Sequence, residues 1–219
     1  MQLVMPFARS TSYDAADYIR GSSNADALDL IERWPDWPYS LMLVHGPRSA
    51  GKTHLAHVFA RRAQAHFIDT ARIGTVPADL LLTGNHCWVL DGVETVADAA
   101  ALAQLINHLR ARGDYLLMTA ATPAAQLPFT LPDLRSRLNA LPAVALHAPD
   151  DALLMGVLAK HFADRQLRVA PEVLHYAASH LERSYDAVQT LARILDKLSL
   201  TRNKPVTIVL VKEAIASSS

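Results

Sequence analysis

The densest chemistry in the chain is Gly46-Pro47-Arg48-Ser49-Ala50-Gly51-Lys52-Thr53, which satisfies G-x-x-x-x-G-K-[ST] between an apolar run ending at His45 and a helical pattern from about residue 53. In that setting backbone N–H groups converge on phosphate, a lysine reaches the β and γ oxygens, and the hydroxyl holds Mg²⁺. The loop therefore predicts a site for ADP or ATP with Mg²⁺, and Thr53 is one candidate metal ligand. The metal needs an acid at the end of a neighbouring buried strand, and Trp88-Val-Leu-Asp91 offers Asp91. The other use for Asp91 would be to cap the turn at Gly92. Hydrolysis also needs a group that polarises water. Gly92, the next residue, has no side chain for it. Glu94 stands two residues further on, and nothing in the sequence obliges it to face the same way.

Positioning these groups requires a sheet. Five short apolar runs, at 41–45, 65–69, 87–91, 115–119 and 143–147, are expected to be strands buried on both faces. Helical patterns lie at about 25–33, 53–64, 97–112 and 131–138. Such alternation predicts an α/β fold with a parallel sheet flanked by helices. From Pro149 onward the pattern is helical only, near 150–165, 171–181, 184–199 and 207–216, so a small all-α subdomain is expected to follow. Leu174, Ala177, Ala178 and Leu181 recur at helical spacing as its core. Three parts result: a tail at 1–8, a core at 9–148 and a helical part at 149–219, whose last serines, 217–219, are left as a tail.

Composition narrows the class. A content of 51% hydrophobic residues in 219 is ample for a core. Lys plus Arg and Asp plus Glu number 21 each, which argues against a strong sequence-independent grip on DNA or an acidic membrane. Cys87, the single cysteine, lies in His-Cys-Trp-Val-Leu and reads as a buried small hydrophobe. Without a disulfide framework, without a run of about 20 apolar residues and without signal-peptide features at 1–7, a cytoplasmic location is expected. His54 and His57 lie three apart but have no Cys or carboxylate cluster for a metal site. Trp34-Pro-Asp-Trp37 is expected to cover the sheet edge.

Beyond the P-loop, three stretches resemble the ATPase core of the bacterial initiator DnaA, within the AAA+ class: 12–24, Leu131-Pro-Asp-Leu-Arg135-Ser136-Arg137-Leu138, and His180-Leu-Glu-Arg183-Ser-Tyr-Asp-Ala-Val. The likeness runs over about residues 9 to 216. It implies an AAA+ P-loop core followed by a helical lid. It also implies an adenine pocket with Tyr18 and Ile19, an arginine finger at Arg137 acting on a neighbour's nucleotide, and Arg183 as a lid arginine that touches the nucleotide.

The chain departs from that pattern in three ways. Gly92 replaces the second acid after Asp91, Ala120 and Ala121 stand where a polar sensor is usual, and too few residues follow Leu200 for a DNA-binding domain. Nucleotide binding with an ADP preference and poor hydrolysis is the expectation. The layout resembles the Hda family, DnaA-homologous regulators of the initiator. On residues alone, Gln2-Leu3-Val4-Met5-Pro6-Phe7 could be a strand tucked onto the core. It is also similar to the hexapeptide that docks on the bacterial sliding clamp, with Gln2 at a pocket rim and Leu3, Met5, Pro6 and Phe7 at an apolar cleft. The resemblance thus implies DnaA and the clamp as partners, DNA reached only through the clamp, and self-association as an open possibility. Two other readings stand: a DnaA-binding adaptor without stimulation of hydrolysis, and an autonomous ATPase that uses Glu94.

Overall fold

A computed structural model describes residues 18–202 and 205–217; residues 2–7 and 12–17, which carry the clamp hexapeptide and part of the DnaA-like stretch, lie outside the described residues. Five strands, β1 (Leu41–His45), β2 (His66–Phe67), β3 (Cys87–Leu90), β4 (Tyr115–Ala120) and β5 (Ala143–Ala145), form one sheet in the order β2-β3-β4-β1-β5. All four pairings are parallel. The three inner strands are buried nearly throughout, as their unbroken apolar runs require.

The expectation of burial on both faces fails at the two edges. Both residues of β2 are exposed, as is Ala143 of β5, because an edge strand has one neighbour and incomplete cover. These strands are also shorter than their apolar runs.

Helices α1 (Ala25–Arg33) and α2 (Lys52–Ala63) pack on one face of the sheet, through Ala27, Ile31, Leu55 and Phe59. The opposite face is covered by α4 (Ala99–Arg112) and α5 (Pro132–Asn139), through Leu102, Ile106, Leu109, Leu134 and Leu138, with the short α3 (Ala78–Leu81) at their side. The start of α4 is fixed by Asp98, whose carboxylate accepts from the N–H groups of Ala100 and Ala101. A third core lies within α6 (Asp151–Asp164), α7 (Pro171–His180), α8 (Tyr185–Arg202) and α9 (Ile208–Ala216). Ala177 and Ala178 are buried there, while Leu174 and Leu181 pack against it half-buried. Among the described residues no helix is long and apolar enough to cross a membrane.

The tryptophans do not cover a sheet edge. Trp37 stacks on Phe59 of α2 at 4.8 Å, and both Trp34 and Trp37 meet Tyr115 edge-on at 6.3 Å, at the start of the central strand β4. Beside them Asp114, fully buried, accepts from Trp88 Nε1 at 3.1 Å and Arg112 Nε at 2.9 Å and pairs with His86 Nδ1 at 2.8 Å. Cys87 is buried, and burial raises its thiol pKa.

Candidate nucleotide-binding site

Because all five strands run parallel, the loops that follow them open at one edge of the sheet, where ligands of α/β folds bind. The loop after β1 holds residues 46–51 and passes directly into α2. Two glycines in it are required by the structure. A Cβ on Gly46 would meet the Leu146 carbonyl oxygen at 2.3 Å, and Gly51 has φ +93°, a left-handed backbone, with Tyr185 at 3.1 Å from a built Cβ. Lys52 Nζ donates to the carbonyls of Gly46 and Pro47, each at 2.8 Å, folding the ammonium over the loop. Burial lowers the Lys52 pKa, while Glu94 and Asp91 pull the other way. Pro47 and Arg48 are exposed, Ser49 has φ +58°, and Ala50 is buried.

Asp91 and Thr53 meet as expected: Thr53 Oγ1 donates to Asp91 Oδ2 at 2.8 Å. A hydroxyl and a carboxylate beside a phosphate loop are hard oxygen donors of the kind Mg²⁺ takes. The residues therefore fit the ion: Thr53 and Asp91 would hold it, and it would supply positive charge to offset that of a bound phosphate.

The strand order supplies a group that the sequence reading passed over. β4 lies between β1 and β3, so its last polar residue, buried Thr119, comes between the two loops. Thr119 Oγ1 donates to Asp91 Oδ1 at 2.5 Å and accepts from the Gly92 N–H at 2.8 Å. Thr119 lies within the strand, and the residues that follow it, Ala120 and Ala121, carry no polar side chain. A lone threonine closing an otherwise apolar strand was the available signal. Glu94 also faces this edge, since its Oε1 accepts from the Ala121 N–H at 3.1 Å.

Tyr18 is buried, edge-on to His54 at 5.1 Å, with its hydroxyl unpaired, and burial raises its pKa far above the usual range. Ile19 packs against the third core, with its side chain near Gly156. Both residues thus lie where the P-loop helix meets α6 to α9. His57 turns to Phe67 at 4.5 Å, so the two histidines have separate ring partners. At the start of α8 the Tyr185 N–H donates to Ser49 O at 3.1 Å, and Ser49 Oγ donates to the Asp186 carboxylate. Burial pushes the Tyr185 hydroxyl pKa up to about 12. The Arg183 guanidinium pairs with Asp151 of α6 at 3.0 Å, and the contacts from this segment to the P-loop come from Tyr185 and Asp186. Arg137 donates through Nε to Asp133 at 2.9 Å and through a terminal nitrogen to Asn107, so its partners belong to α4 and α5 and not to the P-loop.

Comparison with known proteins agrees with this architecture. Residues 151–215 match the family described as Hda, lid domain. The chromosomal replication initiator protein DnaA of Cutibacterium acnes is 23% identical over 231 residues, covering 91% of this chain; the chain spans only 45% of that relative's length. Domain III of the Thermotoga maritima replication initiation protein DnaA superposes with a TM-score of 0.79 at 16% identity, over 95% of this chain and 97% of that one. AMPPCP-bound DnaA from Aquifex aeolicus gives 0.73 at 14% identity, over 87% and 66%. The Thermotoga maritima RuvB Holliday junction branch migration motor gives 0.68 at 16%, over 90% and 69%, so the fold extends beyond initiators. The parallel five-stranded core followed by a helical part thus has the fold of DnaA domain III, and its residues 151–215 are similar to the Hda lid domain.

Proposed function

We propose that this chain binds ADP or ATP with Mg²⁺ at residues 46–53 and Asp91, and regulates the replication initiator DnaA. In this reading 149–219 acts as the lid. Residues 2–7 dock on the sliding clamp, and Arg137 is presented to ATP held by DnaA, promoting its hydrolysis and so limiting re-initiation. The AMPPCP bound by the Aquifex aeolicus relative supports the nucleotide part, and the lid match supports a role connected with replication initiation.

The observation that carries the proposal is the division of labour among the basic groups. Lys52 lies over its own phosphate loop, whereas Arg137 lies on α5 with partners from α4 and α5. A guanidinium held away from its own P-loop is suited to a neighbour's nucleotide, where a finger is worth about 10³–10⁵ in rate. Tethering to DNA-loaded clamp would raise the local concentration of this group.

Turnover of DnaA-bound ATP, measured with and without this protein and loaded clamp, tests the reading. Arg137→Ala is expected to abolish stimulation while clamp capture persists; stimulation that survives the substitution sinks the finger assignment. The adaptor reading draws on the same geometry, since Arg137 already holds Asp133 and Asn107 and must exchange them to act. Initiator binding with no change in turnover, even for the unaltered protein, would favour it.

A further inference from the structure

The phosphate loop contains two residues in the left-handed region, Ser49 at φ +58° and Gly51 at φ +93°. A left-handed residue beside a right-handed one aims successive backbone N–H groups at one side, which makes an anion-binding concavity. Glycine adopts such a backbone freely, whereas a residue with a Cβ resists it, so Ser49 has to be held. Both residues are touched by the start of α8. The Tyr185 N–H donates to Ser49 O at 3.1 Å, Ser49 Oγ donates to the Asp186 carboxylate, and the Tyr185 ring lies 3.1 Å from a Cβ built on Gly51.

These contacts join two separately packed units. The loop runs from β1 into α2, whose apolar face belongs to a core on the sheet, while α8 packs through Val188, Leu191, Ala192 and Leu195 into the third core, that of α6 to α9. Tyr185 itself is half-buried against that third core. A turn of α8 relative to the sheet therefore pulls on Ser49, and a change at Ser49 is felt at α8 with the same free energy, because coupling between two sites is reciprocal. Asp186 has a second and simpler use, since an acid in the first turn of α8 favours the helix dipole. That use depends on its charge, whereas the tie to Ser49 depends on an acceptor oxygen, and substitution separates the two.

We infer that Asp186, together with the Tyr185 N–H, is a positioning residue that holds Ser49 in its left-handed form, so that the phosphate loop keeps its shape only while α8 is seated on it. The inference deepens the nucleotide-binding reading above, because it names what shapes the loop and makes the seating of α8 part of phosphate affinity. Two measurements on the full chain test it. One is hydrogen exchange, without nucleotide, of the Tyr185 N–H and of the Ala50 N–H, which closes the loop on Pro47 O at 3.3 Å. The other is calorimetric titration with Mg-ADP. Asp186→Ala is expected to speed exchange at both amides and to weaken Mg-ADP about fivefold, the worth of one ordinary hydrogen bond. Asp186→Asn, which removes the charge and keeps an acceptor, should restore both readouts to within about twofold. Ser49→Ala loses the hydroxyl but keeps a Cβ and should weaken Mg-ADP as Asp186→Ala does, while Ser49→Gly should bind within about twofold of the unaltered chain, because glycine needs no holding.

Asp164→Ala removes an acid of α6 that pairs with Lys160 of the same helix, and it is expected to leave both readouts as they are. Exchange at Tyr185 and Ala50 that Asp186→Ala does not change overturns the inference. So does an Asp186→Asn variant as impaired as Asp186→Ala, which makes Asp186 a first-turn acid of α8 and nothing more. Equal binding of Mg-ADP by Ser49→Ala and Ser49→Gly overturns it too, as do equal effects of Asp164→Ala and Asp186→Ala, the mark of a general loosening of the helical part. If the unaltered chain binds no Mg-ADP, the nucleotide-binding reading falls, while the exchange measurement still decides whether α8 holds the loop.

Discussion

A carboxylate stands near each end of β4, and the two are treated in opposite ways. At the start of the strand Asp114, fully buried, accepts from Trp88 and Arg112 and pairs with His86. At the far end Glu94 reaches the strand through a single backbone N–H and keeps one buried oxygen unpaired. The tyrosine hydroxyl left unpaired at Tyr18 belongs to the same end, although Trp34 Nε1 is an unpaired donor at the other. A saturated buried carboxylate ties structure together, whereas a half-paired one at the ligand-binding edge of the sheet retains acceptor capacity.

Substitution should separate the two ends. The largest loss of stability is expected from Asp114→Ala, which leaves Trp88 Nε1 without its acceptor and Arg112 with only the carbonyls of Leu82 and Asn85. Urea unfolding should show about 3 kcal/mol or more lost, with nucleotide affinity of the folded protein unaltered. If that affinity falls with stability, the two ends are coupled and the contrast is broken. Lys52→Ala should do the reverse, lowering Mg-ADP affinity about 100-fold, ~2.7 kcal/mol, with little change in melting temperature without nucleotide.

Thr119→Val is intermediate, because the hydroxyl serves both Asp91 and the Gly92 N–H. A stability loss of about 1–2 kcal/mol is expected, together with weaker Mg²⁺ dependence of nucleotide binding. An effect on stability alone would make Thr119 a purely structural group.

The smallest effect concerns His45, just before the P-loop, whose pKa is lowered first by burial and then by His147. The unfolded chain takes up a proton near pH 6.5 that the folded chain resists. Stability is therefore present above that pH and declines as pH falls through it. His45→Asn should flatten this decline in melting temperature between pH 7 and 5.5; an unchanged slope removes His45 from the account.

Much of this arrangement was legible in the residues. The inner strands follow unbroken apolar runs, and α1, α2 and the helices after Pro149 follow their periodicity within a few residues. The pairing of Asp91 with Thr53 was legible too, because a P-loop and a strand-end acid imply one another. The exposed faces of β2 and β5 were not, since an apolar run is the same whether its strand is inner or at an edge. Nor was the ion pair of Arg183 with Asp151, which depends on how the segment before α8 packs on α6. Trp34 and Trp37 were legible as an aromatic cover but not as one over β4, a strand 78 residues further along the chain than the second of them.

By itself the sequence determined the local elements and the phosphate loop, because periodicity, glycine placement and the G-K-T triplet act over a few residues. Only the tertiary structure decided the strand order. By inserting β4 between β1 and β3, it brought Thr119 to Asp91 and Ala121 to Glu94. Those contacts join residues 27 and 28 positions apart through parallel pairing, and parallel pairing is fixed by the packing of helices on both faces, which no short window of residues encodes.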